Sequence, residues 1–137
     1  MSNPVRETRR RLREDHGSIV ATVDCCADAV AEPWDTARTT NRDALVDEFR
    51  SELETAGVLE EFPAVLEDAV DATGYELQAQ PIPGPPYVVV TSRGPMLRAT
   101  IDPGRLVIRF DAFEVVRTDR GASYRRRDGV ELVVALE

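Results

Sequence analysis

Leu12, His16, Ile19, Val23, Cys26 and Val30 recur at spacings of 4, 3, 4, 3 and 4, which draws one continuous stripe down a helix. Ser2-Asn3-Pro4 supplies its start, with Asn3 as N-cap and Pro4 at the first helical position, where a missing N–H costs nothing. Pro33 ends it. At ~1.5 Å per residue such a helix is about 40 Å long, more than one small sheet can cover. Its first turns are therefore expected to project, or to bend near Gly17. A second stripe, Leu45, Phe49, Leu53 and Ala56, predicts a helix from Thr40 or Asn41 to Ala56, with Thr40 and Asp43 as a capping box and Gly57 as the stop. After a short turn, Val58 to Phe62, a third helix is expected from Pro63 to Thr73, with Leu66, Ala69 and Val70 inward and Gly74 at its end.

Beyond Gly74 the period changes. Gln80-Pro81-Ile82-Pro83-Gly84-Pro85-Pro86 excludes both a helix and a central strand, so residues 78–86 read as an extended connector. From Tyr87 onward the alternation is that of strands. Asp102-Pro103-Gly104-Arg105 is a turn, and if Asp102 faces Arg105 then Leu97, Ala99, Ile101, Leu106, Ile108 and Phe110 share one greasy face. Ser92-Arg93-Gly94-Pro95 as the preceding turn sets Val90 opposite Leu97 and Val88 opposite Ala99, on that same face. The inward set then shifts from Leu106, Ile108 and Phe110 to Phe113 and Val115, so one extra residue, a β-bulge, is required near Asp111-Ala112. Asp119 to Ala122 turns the chain, and Arg127-Asp128-Gly129-Val130 reads as a last hairpin before a strand with Val130, Leu132, Val134 and Leu136 inside. The expected fold is α+β over residues 1–137 as a single domain. Three helices (4–74) pack on one face of an antiparallel meander of four to five strands (87–136).

Composition adds one peculiarity. All 17 basic residues are Arg, and 25 acidic residues give a formal charge of -8. Charge is also segregated: residues 1–13 hold five Arg against one Glu, residues 14–80 three Arg against 17 carboxylates, and residues 81–137 nine Arg against seven. An acidic, lysine-free chain with the stretch GPPYVVVTSRGP followed by DPGRL resembles uncharacterised small acidic proteins of halophilic archaea, and that resemblance brings no activity with it. A high-GC genome, which also favours Arg over Lys, is the competing account of the composition. Adjacent Cys25 and Cys26 point about 100° apart on a helix, too divergent to bridge each other or share a metal, and both read as small core residues in a reducing cytoplasm. No apolar run approaches a membrane span, so a soluble, cytoplasmic protein without a membrane partner is expected.

The candidate functional residues follow from charge and register. The outer sheet face carries Tyr87, Val89, Met96, Arg98, Val107 and Arg109, an aromatic, apolar and arginine mixture typical of a protein interface. In the register above Arg98 lies directly across from Arg109, a repulsion that an anion, a partner carboxylate or Asp111 would relieve. Arg6, Arg9, Arg10 and Arg13 line one side of the first helix near its N-terminus, where positive charge opposes the dipole. Such a cluster reads as a nucleic-acid arm, a docking element or a solvated end. Arg125, Arg126 and Arg127 form a second cluster, read as a solvated edge strand or as phosphate contacts.

The chemistry-bearing motifs are missing. His16 is the only histidine, nine or ten residues from Cys25 and Cys26 along one helix, which excludes a histidine-rich metal site and a Cys–His pair within that helix. No Walker or dinucleotide glycine pattern occurs. Catalytic residues, metal ligands and cofactors are therefore all assigned as none. The leading expectation is a non-enzymatic binding or adaptor protein that self-associates as a homodimer, or docks a partner protein, through the outer sheet face. A nucleic-acid-associated protein using the arginine clusters is the first alternative, opposed by the net acidity. A small-molecule binder or enzyme with a pocket between helices and sheet is the second.

Overall fold

A computed structural model describes residues 3–137, so Ser2 lies outside the described residues. Four helices precede most of the sheet, one more than expected: α1 (Pro4–Asp15), α2 (Gly17–Ala31), α3 (Arg42–Thr55) and α4 (Val58–Thr73). The additional helix comes from a break at His16, whose backbone (φ -125°, ψ 26°) caps α1 at one end and starts α2 at the other. The stripe drawn by the sequence is intact across this break, since Leu12, Ile19, Val23, Cys26 and Val30 are all buried. The first turns do not project. They fold back on α4, where Thr8 is buried and its hydroxyl donates to the Ala69 carbonyl (3.4 Å).

The joint is fastened by charge: Arg11 donates to Asp68 Oδ1 at 2.7 Å, and His16 Nε2 lies 2.7 Å from Asp68 Oδ2. Removal from water pushes the Asp68 carboxyl up, but the hydrogen bonds from His16 and Arg11 outweigh it and hold the group below the usual carboxylate range. In the middle of α2 only one of the two adjacent thiols can face the core. Cys26 does, and Cys25 is exposed, contrary to the expectation that both are interior.

Helix α4 begins five residues earlier than the proline suggests. Gly57, at φ 77°, ends α3, and the next residues Val58, Leu59 and Phe62 are buried, so core burial holds the first turn helical despite Pro63 inside it. Asn41 caps α3 by accepting from the Ala44 N–H (3.1 Å).

The sheet has five antiparallel strands in the order β1-β5-β4-β3-β2. They are β1 (Arg38–Thr39), β2 (Val88–Val90), β3 (Pro95–Ile101), β4 (Gly104–Thr118) and β5 (Gly121–Leu136). Both predicted registers are off by two residues: Ala99 faces Leu106 rather than Ile108, and Val88 faces Leu97 rather than Ala99. A slip of two keeps every side chain on its predicted face, because the strand period is two. The tighter turn, with Ile101 opposite Gly104, is what shortens the loop.

The bulge falls where parity required it, between Asp111 and Phe113. The Ala112 and Phe113 N–H groups both donate to the Arg93 carbonyl (2.7 and 3.0 Å), locking the bulge to the β2–β3 turn. Gly94 permits that approach, since a Cβ there would sit 1.9 Å from the Phe110 carbonyl oxygen. Opposite the bulge, residues 127–130 loop out of β5 without reversing it. The hairpin expected at Arg127-Asp128-Gly129-Val130 is therefore a second irregularity in one long strand: residues on both sides of it pair with the same β4.

The helices pack on the greasy face. At the centre Phe62 meets Phe110 (ring centroids 5.5 Å apart), Phe49 meets Phe113 edge-on (5.4 Å), and Trp34 covers Phe113 (5.7 Å).

Candidate functional site

Alternation along each strand sends every second side chain away from the helices, and the register assembles these into rows. One row is Val89, Met96, Arg109 and Val133; the next is Arg98, Val107 and Ala135, extended by Tyr87, whose carbonyl accepts from the Arg98 N–H (2.8 Å). Thr100 opposite Arg105 closes one end of the face, and Asp111 opposite Glu131 closes the other. Val89, Met96, Val133 and Ala135 are half-buried on this side. Val107 is only 6% exposed although no helix lies over it. Its neighbours on the face are Arg98, Ala135, Arg105 and Arg109, and arginine stems shield apolar carbon while keeping their heads in water.

The arginine pairing changes with the register. Arg98 faces Val107 and Arg109 faces Met96, so the predicted Arg98–Arg109 contact across the strands does not form. Arg109 reaches Asp111 on its own strand (3.0 Å), and its Nε is buried without a hydrogen-bond partner. Arg98 donates through Nε to the Pro86 carbonyl (3.1 Å). The residue overlooked in the sequence is Arg105, which was spent on the turn. It shares the parity of Val107 and Arg109, and that signal places it on this face.

The arginine triplet on β5 divides three ways. Arg125 pairs with Glu114, and with Arg127 and Arg38 nearby it holds the Glu114 carboxyl below its usual range against the opposing effect of desolvation. Arg126, 15% exposed, turns inward to Asp24 and Asp28 of α2. Arg127 pairs with Glu131 at 2.9 Å. The triplet is not a solvated edge: β1 flanks it at Arg125, and each member is held by carboxylates. On α1, Arg10 pairs with Glu14 (3.2 Å) and Arg6 is exposed. Arg9 and Arg13 line a cleft with Arg127, Asp128 and Glu131, so the structure joins parts of the two predicted clusters.

Among the described residues no group of His, Cys, Asp and Glu is arranged to hold a metal ion, and no helix is long and apolar enough to cross a membrane. No curated protein and no solved structure matches the chain. A family model described as "Domain of unknown function (DUF7988)" matches residues 6–137, which takes in all four helices and the whole sheet apart from the first two residues of α1, and the chain belongs to that family.

Proposed function

We propose that this protein acts by binding rather than catalysis, inside the cell, and that it self-associates through the outer sheet face. The observation that carries the reading is the composition of that face: an apolar centre of Val89, Met96, Val107, Val133 and Ala135, with no helix over it. Arg98 and Arg105 stand at one end; at the other, Asp111 and Glu131 are paired with Arg109 and Arg127. Turned by a half rotation, the apolar centre meets itself and the arginine end of one copy comes over the paired carboxylates of the other, which favours a second copy over an unrelated partner. Size sets the strength. Four strands about 4.8 Å apart and seven residues of about 3.3 Å make a plane of roughly 440 Å². Side-chain relief enlarges it, but it stays at or below the ~800 Å² per partner of a standard interface, so a concentration-dependent dimer is expected.

Sedimentation velocity over a wide concentration range, in molar KCl to suit a halophile-like surface, is the test. The expected result is a monomer–dimer equilibrium that Met96→Glu with Val133→Glu abolishes while the folded spectrum is retained. A monomer at every concentration removes the proposal.

One observation favours a second reading, nucleic-acid association: Arg9, Arg13 and Arg127 meet in one cleft. Against it, Asp128 and Glu131 line the same cleft, which leaves little net positive charge there. Fluorescence anisotropy with duplex DNA at low salt, comparing the wild type with Arg9→Gln/Arg13→Gln, decides it.

A further inference from the structure

Where the connector meets the edge of the sheet, Leu77, Gln78, Pro86, Tyr87, Arg98 and Arg105 line an open cavity of about 500 Å³. We infer that this cavity is a binding site for a small organic anion, with Arg98 and Arg105 holding its phosphate or carboxylate group. The inference goes beyond self-association. The cavity lies within one protomer but shares Arg98 and Arg105 with the face proposed to self-associate, so binding is also measured on a monomeric variant, where the two proposals separate.

Three observations carry it. First, charge: two guanidinium groups and no carboxylate line the cavity, and Glu137, which pairs with Arg105 through the backbone (2.8 Å each way), makes no ion pair with it. Second, geometry: Thr100 faces Arg105 and Arg98 faces Val107, which makes Arg98 and Arg105 diagonal neighbours on the same face, about 7–8 Å apart at Cα. That spacing lets two planar forks converge on one oxyanion from two sides. Third, unused hydrogen-bonding capacity: Arg98 is oriented by its Nε donation to the Pro86 carbonyl (3.1 Å), which leaves its two Nη groups available. Among the described residues Arg105 makes no ion pair or side-chain hydrogen bond, and the same is true of the Tyr87 and Thr100 hydroxyls and the Gln78 amide. The cluster presents two guanidinium forks with hydroxyl and amide groups at its charged end and apolar surface from Leu77, Ala79 and Pro86 at the other. A ligand with one anionic head and a short apolar or aromatic body matches both, and the volume suits a molecule of that size.

The probe is phenyl phosphate, titrated into the full chain at fixed KCl and followed by amide NMR shifts. Saturable shifts at Gln78, Tyr87, Thr100 and Arg105 are expected, with weakening as ionic strength rises. Arg105→Gln should weaken binding about tenfold or more, as should Arg98→Gln. Arg105 is exposed, so its variant stays folded even if loss of the Arg98–Pro86 bond disturbs the other. The Met96→Glu/Val133→Glu monomer should still bind saturably, with some weakening from the carboxylate introduced two residues from Arg98 on the same face; complete loss of binding there would overturn a site within one protomer. Shifts that do not saturate, an Arg105→Gln chain that binds unchanged, or equal binding of neutral phenol would overturn the site. Inorganic phosphate binding as tightly as phenyl phosphate would overturn the organic part of the assignment.

Discussion

Replacing Arg126 by alanine removes the bolt between the long hairpin and the helical layer. The side chain donates through Nη1 to the carbonyls of Ala112 (3.0 Å) and Arg127 (2.9 Å), through Nη2 to the carbonyl of Asp24 (3.1 Å) and to its carboxylate, and through Nε to Asp28 (3.2 Å). Its guanidinium carbon also sits 6.0 Å from the centroid of Phe113. In Arg126→Ala the Ala112 carbonyl, on a residue with no exposed surface, loses this donor, and stranding such a group costs about 1–3 kcal/mol. The charged hydrogen bonds to Asp24 and Asp28 are partly open to water and count for less. Together with the lost packing of the stem, a destabilisation of about 3 kcal/mol is expected.

For 137 residues the unfolding entropy near the midpoint is about 0.29 kcal/mol/K, so Tm should fall by about 10 °C. Urea unfolding at constant salt measures it, with an unchanged m-value required for the comparison. Arg125→Ala is the contrast. Arg125 is one residue away and equally charged, but it pairs with Glu114 on the open side, so little should change. If Arg126→Ala stays within about 0.5 kcal/mol of the wild type, or if the two variants behave alike, the inward arginine does not fasten the layers.

Gly94→Ala drives a Cβ to 1.9 Å from the Phe110 carbonyl oxygen, beside the bulge, and should cost about 3 kcal/mol or more; chemical denaturation or failure to express folded protein reads this out. Because the folded Asp68 carboxyl ionises below its usual range, it contributes stability above that range, and this is lost as pH falls through the folded value. Asp68→Asn should therefore lower stability at neutral pH and flatten the acid limb, as followed by thermal melts from neutral pH down to about 3, below the ordinary carboxylate range. A thiol reagent should label Cys25 at once and Cys26 only on unfolding, since burial and then the neighbouring Glu52 push the Cys26 thiol up; two equally fast thiols would contradict the orientation of α2.

Periodicity by itself determined which side chains face inward. The stripe from Leu12 to Val30 is buried apart from half-buried His16, the alternation through the hairpins holds on both faces, and the parity change at Asp111 located the bulge. These are local properties, decided by the 3.6- and 2-residue repeats, and they survive a slip of two residues along a strand. Tertiary structure decided the rest. Helix length and Gly17 left a choice between a projecting end and a bend, and the bend forms because Asp68 on α4, 52 residues away, anchors the break at His16. The two-residue strand β1 is too short to have a pattern, and Arg38 and Thr39 become a strand only because β5 lies beside them. Most consequential for the site, register chose which arginines are neighbours: it separated Arg98 from Arg109, leaving the latter to Asp111 on its own strand, and set Arg98 diagonal to Arg105. Side-chain parity is written in the sequence, whereas a cross-strand neighbour depends on how tightly each turn closes, and that is settled when the strands pack.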